Sequence, residues 1–498
     1  MSLDHPRESA RLEQAPATTT ELPFYGVWAP TPTRLSIQID GTCFPMIRDE
    51  HDWWWLPRRM RDGEQYGFLV DDEGPFPDPR SAYQPFGVHG LSEVVDHRRY
   101  VWHDARWQAP PLASAVIYEL HVGTFTPAGT FDAAIARLPH LVELGITHVQ
   151  LMPVAEFPGN RGWGYDGVDL FAPHHGYGGP EDLKRLVDAC HQAGLAVLLD
   201  VVYNHLGPSG NYLARFGPYF TTRHSTPWGA AVNLDDAGSD EVRRFFCDNA
   251  LMWLREYHVD GLRLDAVHAL FDMSARHLLE QLSEEVEALG AVTGRHLVLI
   301  AESDLNDPRI IRSREAGGYG IHAQWSDDFH HALHGMITGE RGGYYEDFGS
   351  VDHFARALRQ AFVYAGSRSD HRNRAHGRAA DGLPGWRFVV AAQNHDQIGN
   401  RALGERLSHL TSVGRTRIAA GLLLSAPFVP LIFQGEEWGA TSPFQYFSAH
   451  EDPELGRLVS GSIEAMDDVR GSADYKRHVA GVQAERAVAE CFAAGARP

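Results

Sequence analysis

The sequence predicts an α/β protein: a (β/α)8 barrel of the TIM type preceded by a small β-sandwich. Three observations carry that expectation. After residue 113, compact apolar or β-branched runs alternate with longer amphipathic stretches, the rhythm of a parallel sheet with helical crossovers. Eight such units fit within about 330 residues, enough for a barrel with inserted loops. Before residue 100 the runs are short and broken by Gly, Asp and Pro, as in a small antiparallel sandwich.

Residues 1–20 are polar, have no structural period and lack the apolar core of a signal peptide, so a disordered lead-in is expected. Residues 21–100 hold GVWAP, RLSIQI, DWWWLP and QYGFLV, the strands of a sandwich resembling a carbohydrate-binding module. Residues 101–113, rich in Pro and polar groups, are expected to be a linker. The barrel is assigned to 114–457. Its strands are expected at 116–122, 147–153, 195–205, 259–267, 296–302, about 319–325, 387–394 and 429–434. The clearest helix is 239–257, SDEVRRFFCDNALMWLREY, with Ser239 expected as N-cap and apolar positions at helical spacing. Residues 458–498 are Ala-rich and charged, and Arg486 breaks their apolar stripe. A helical or disordered, mobile tail is expected there.

Composition limits the function. The chain has 498 residues, of which 43% are hydrophobic and 22% charged, the balance of a globular protein with more than one domain. Its 44 basic and 65 acidic residues give −21, which disfavours nucleic acid and anionic membranes as partners and suits a neutral substrate. Cys43, Cys190, Cys247 and Cys491 form no paired spacing, so neither a disulfide framework nor a zinc site is expected, and the cytoplasm is the expected location. Twelve Trp and 11% aromatics are compatible with stacking on sugar faces.

The chemistry is expected at the C-terminal ends of the barrel strands, where Asp200, Asp265, Glu302 and Asp396 fall. One such acid is usually a cap or an ion-pair partner. Several around one axis repel one another, a cost that a catalytic role explains. Arg263 and Asp265 are two apart on a strand and share a face, so a guanidinium would keep Asp265 ionised, as a nucleophile requires. Asp200 could orient Arg263. Glu302 closes the apolar run LVLIAE among other carboxylates, conditions that raise a pKa toward that of a general acid. A nucleophile and an acid on neighbouring strands suit a retaining glycosidase.

These segments, DVVYNH (200–205), GLRLDAVH (261–268), AES (301–303) and QNHD (393–396), resemble in order the four short regions of glycoside hydrolase family 13, the α-amylase family. The resemblance implies Asp265 as nucleophile, Glu302 as acid/base and Asp396 as transition-state stabiliser. It implies that His205, Arg263 and His395 hold the sugar in subsite −1, that Tyr165 stacks beneath it and that Asp166 shapes the loop. His268 stands where many α-amylases have Lys, so subsite +1 is expected to differ. Asn204 occupies a calcium-binding position of α-amylases, but its loop lacks further carboxylates, and a structural Asn is expected with no metal or cofactor.

A finer resemblance, over residues 24–450, is to the family members that release trehalose from maltooligosyltrehalose by cleaving the α-1,4 bond next to it. It rests on WGYDGVDLFAPHHGYGGPEDL, ESDLNDPR, DDFHHALH and FQGEEWGATSPFQYF. It implies that 263–268, 328–332 and 395–400 line the cleft, bringing in Asp328, His330, His331, Gln397 and Asn400, with maltooligosyltrehalose or a related α-glucan as partner. Glu436 and Glu437 are expected to orient the rim. The small C-terminal β-domain of the family is not legible after residue 458. Two other readings stay open: a branching or debranching enzyme acting on α-1,6 bonds, and a catalytically impaired binding protein.

Overall fold

The computed structural model describes residues 24–226 and 229–449. The expected lead-in 1–20 and the tail 458–498, with the mobility and missing domain expected there, lie outside the described residues.

Eight parallel strands close into a barrel. They are β1 (Ile117–Leu120), β2 (His148–Leu151), β3 (Ala196–Val201), β4 (Gly261–Leu264), β5 (Val298–Ala301), β6 (Ala323–Trp325), β7 (Phe388–Ala391) and β8 (Val429–Phe433). Each falls inside a run predicted from the sequence. The sixth is shorter than expected because residues before it are drawn into a loop. There the Tyr319 amide donates to Arg309 and the Ile321 amide to Ile310, so neither can join the barrel ladder.

The alternation of strand side chains explains why this fold presents acids at one end. Ile117, Leu198, Val298, Ile300, Ala323, Val389 and Leu431 form an apolar plug inside the barrel. Two residues further along the same strand faces stand Glu119 after Ile117, Asp200 after Leu198 and Glu302 after Ile300. On β4 the interior series is Gly261, Arg263, Asp265, and the glycine leaves room that Val298 and Leu198 fill. The plug therefore gives way to polar groups toward the C-terminal mouth.

The helix Ser239–Glu256 buries Val242, Phe245, Phe246, Ala250 and Trp253. Ser239 is its first helical residue and not its N-cap. Gly238 holds that place with φ +78°, a left-handed conformation that glycine adopts without strain and serine does not.

Before the barrel, Phe24–Trp28, Ile47–Arg48 and Trp53–Arg59 form one antiparallel sheet. Thr42–Pro45, Leu35–Ile39, Gln65–Val70, Glu73–Phe76 and Ser92–Glu93 form a second, and the two make the β-sandwich. It is fixed to the barrel by Arg80, which pairs with Asp248 at 2.8 Å, and by edge-on contacts of Phe68 with Phe216 and Trp28 with Tyr219.

The connecting segment is pinned, not slack. Trp107 stacks on His191 and donates its indole N–H to Asp260 at 2.8 Å, while Asp104 accepts from His191 at 2.9 Å and His258 at 2.7 Å. Among the described residues, no helix is long and apolar enough to cross a membrane.

Candidate active site

Arg263 organises the mouth of the barrel. Fully buried, it donates Nη1 to both carboxylate oxygens of Asp200 (2.9 and 2.8 Å) and to Oδ1 of Asp265 (2.8 Å). Its Nη2 lies 3.0 Å from Oε2 of Glu302. Asp200 and Arg263 are register partners on β3 and β4, so strand pairing sets this contact. The guanidinium sits 4.4 Å over the ring of Trp325, at the end of β6. One cation thus binds carboxylates from three adjacent strands, a geometry suited to the planar fork of arginine.

Asp265 and Glu302 share this cation but differ in their other neighbours. Burial alone would raise the Asp265 carboxyl, yet Arg263, His205 and the 2.7 Å bond from Asn204 Nδ2 outweigh it and hold it below the usual range. Asn204 also donates to the Asp265 carbonyl at 2.9 Å, so its role here is to fix that residue. Glu302 goes the other way. Burial is the largest cause, and the charges of Asp265 and Asp396 add to it, so its carboxyl is raised well above the ordinary value despite Arg263. Its Oε2 accepts from the Ala266 amide at 2.7 Å, Ala266 being in the left-handed region at φ +38°. The two carboxyls are thus pushed apart, Asp265 lowered and Glu302 raised, the split that double displacement at an acetal carbon uses.

The opposite wall comes from β1, β7 and the loop 157–168. The Tyr165 hydroxyl donates to Asp200 at 2.6 Å and lies 2.7 Å from His395 Nε2, and its ring stacks against that imidazole. Glu119 on β1 accepts from His395 twice, at Nδ1 (2.8 Å) and at the backbone amide (3.0 Å). Burial opposes the charged imidazole, but Asp396 and Glu119 raise His395 to about 9. Asp396 follows His395 in the short helix His395–Gly399 and is one-third exposed at the mouth. His205 sits under the loop, with Nε2 3.1 Å from the Tyr165 carbonyl, and Tyr446 donates to Asp166 at 3.2 Å.

The remaining predicted residues divide. His268 is exposed at the rim, and Gln397 and Asn400 are half-buried on or beside the short helix, Gln397 accepting from Tyr344 at 2.9 Å. Asp328 does not face the cleft. Its Oδ2 takes hydrogen bonds from Asn306 and from the amides of Val363 and Tyr364, at 2.7–2.9 Å, and ties the helix Asp327–Thr338 to a neighbouring loop. His330 and His331 are likewise packed within that helix, His330 bonded to Tyr345 and His331 stacked on Tyr344. These three corrections share a cause. The segment is a helix, so positions adjacent in sequence point in different directions, and Asp327 takes the place assigned to Asp328. Burial and the charges of Asp396, Asp304 and Asp328 raise Asp327 to about 7. Glu436 caps its own turn by accepting from Phe433 N, and Glu437 accepts from Tyr118 at 2.7 Å.

Sequence reasoning missed Glu119, Trp325 and Asp327. Glu119 carried a readable signal, a lone carboxylate inside the apolar strand VIYELHV and on the same face as Ile117. Among the described residues, the grouping that could gather a metal ion is Glu156, His174 and His175, on the ribbon bearing Tyr165 and not among the rim carboxylates.

A closed parallel barrel whose mouth holds an arginine-bound carboxylate pair defines a glycoside hydrolase of the α-amylase type. Residues 56–222 match the family model for the α-amylase catalytic domain. The chain is 53% identical over 442 residues to the malto-oligosyltrehalose trehalohydrolase of Arthrobacter ramosus, covering 88% of this chain and 77% of that one. It is 49% identical over 460 residues to the Mycobacterium tuberculosis protein of the same name, covering 91% and 79%. A crystal structure of a Salmonella typhimurium protein described as an alpha amylase superposes with a TM-score of 0.84 at 41% identity, covering 89% of this chain and 76% of that one. The chain belongs to the malto-oligosyltrehalose trehalohydrolase family.

Proposed function

We propose that this protein hydrolyses the α-1,4-glucosidic bond next to the terminal trehalose of maltooligosyltrehalose, with retention of configuration, releasing free trehalose. Asp265 attacks the anomeric carbon, Glu302 protonates the departing oxygen and then activates water, and Asp396 stabilises the positive charge that develops on the sugar ring. Tyr165, His205, Arg263 and His395 hold the ring in subsite −1. Asp200 acts through Arg263 and Tyr165. His268, Gln397 and Asn400 line the leaving-group side.

The observation that carries the mechanism is the guanidinium of Arg263, which touches both Asp265 and Glu302. A shared cation keeps the two carboxyls close, favouring the roughly 5–5.5 Å spacing of retaining enzymes over the wider gap that admits a water. The choice of substrate rests on the identity to the trehalohydrolases. Cys43, Cys190 and Cys247 are unpaired, which supports a reducing, cytoplasmic setting.

The test is to incubate the pure protein with maltooligosyltrehalose and with glycogen, assay free trehalose, and follow the new reducing end by NMR. Trehalose with an initial α-anomer supports the proposal. Chain shortening at α-1,6 branches without trehalose, or a β-anomer first, would exclude it.

A further inference from the structure

Outside the barrel mouth, the loop bearing Tyr165 stands on a two-stranded antiparallel ribbon, Ala155–Glu156 paired with Asp169–Pro173. Glu156 is fully buried where the loop leaves the ribbon, and His174 and His175 follow directly after its return strand. Oε1 of Glu156 lies 2.8 Å from Nδ1 of His175 and 3.3 Å from Nδ1 of His174. His174 is wholly buried, its ring clamped face to face on Phe157 at 3.8 Å, and neither of its nitrogens makes a hydrogen bond. Asp169, the register partner of Glu156, is also buried, with an Oδ2 that has no hydrogen-bond partner. Glu156 also accepts the His175 amide at 2.8 Å, so the buried polar atoms left without a partner here are Oδ2 of Asp169 and both nitrogens of His174, an unusual grouping beside a buried carboxylate.

We propose that Glu156, His174 and His175 form a structural binding site for a divalent transition-metal ion, Zn2+ being the best fit. The three donor atoms lie within 4.8 Å of one another. A tetrahedral ion with bonds of about 2.0–2.2 Å holds its donors roughly 3.3–3.5 Å apart, so the Glu156–His174 separation of 3.3 Å already fits and His175 completes the set by a side-chain adjustment. Two imidazoles and one carboxylate select a borderline ion over Mg2+ or Ca2+, which favour all-oxygen shells. The His175 side chain is 23% exposed, so this side gives entry and leaves the fourth position to water. The ion would join the two ends of loop 157–168, and so brace Tyr165 and Asp166 against the sugar subsite without touching substrate.

The test uses the full chain, stripped with EDTA, desalted and reloaded. Elemental analysis is expected to find about one zinc per chain, and the melting temperature is expected to rise by roughly a few degrees. Cobalt substitution is expected to give the visible absorption of a tetrahedral site, a readout that needs no variant. His175→Ala, at a partly exposed position, should fold with the metal-free protein's melting temperature yet lose both zinc retention and the thermal shift. Glu156→Gln should lose them too. Substoichiometric zinc with no thermal shift in the wild type, or equal zinc retention in His175→Ala, would overturn the proposal.

Discussion

Replacing Glu119 by Gln isolates the charge that holds His395 without changing the shape of the side chain. Glu119 is completely buried and accepts two hydrogen bonds from His395. The imidazole is raised from an ordinary 6.5 to about 9, so the folded protein binds that proton more tightly than the unfolded chain by about 3 kcal/mol. A group raised on folding contributes stability that is fully present below its unfolded pKa and is lost as pH rises through its folded pKa. This contribution is therefore complete below about 6.5 and gone above about 9. Asp396 and Glu119 share the effect, so Glu119→Gln should remove about half of it, roughly 1–2 kcal/mol near pH 6. For a chain of this size the melting temperature should fall by a few degrees at pH 6, with the gap to wild type closing toward pH 10. Activity should fall about tenfold through kcat, because a loosely held His395 no longer fixes Tyr165 and the sugar. Scanning calorimetry and initial rates across that pH range measure both. A melting difference that is the same at pH 6 and pH 10 would show that Glu119 acts by packing alone.

Asp265→Asn should lower kcat by at least about three orders of magnitude with little change in melting temperature, since an amide cannot form the glycosyl-enzyme ester. A tenth of wild-type activity would mean that another group attacks. Glu302→Gln should fail on maltooligosyltrehalose yet still react with an activated glycosyl fluoride, whose departure needs no proton; equal losses on both would argue against an acid role. The pH profile of kcat/KM should be a bell, its acid limb below the usual carboxylate range because Asp265 is lowered, and its alkaline limb well above that range because Glu302 is raised. The charge of Asp327 helps to raise Glu302, so Asp327→Asn should move only the alkaline limb, and toward lower pH. A shifted acid limb in that variant would contradict the arrangement.

The barrel was legible because its strands are written as compact apolar or β-branched runs between amphipathic helical stretches, as strands buried on both faces must be. Asp200, Asp265 and Glu302 were legible for the same reason, since each lies on or just past the interior face of a strand whose end is marked by a change from apolar to polar residues. What the strands could not disclose is which of their polar residues meet. Glu119, Gln150, Asp200 and Arg263, from β1, β2, β3 and β4, are all at most 1% exposed. They form a polar layer only because closure brings β8 back beside β1 and sets the mutual register of all eight strands. A lone Glu within VIYELHV is an anomaly in one strand and a partner for His395, from the far end of the chain, once the barrel is closed.

The same limit explains the misplacement at Asp328. The resemblance implies that 328–332 line the cleft through Asp328, His330 and His331, whereas the segment begins a helix at Asp327. Successive helical residues diverge by about 100°, so at most one of two adjacent acids can face the cleft. Asp328 is committed to three donors on the protein side, and Asp327 is left beside Asp396. The site is thus built from two kinds of information. Strand alternation fixes which residues enter the barrel, and closure together with helix phase decides which of them meet.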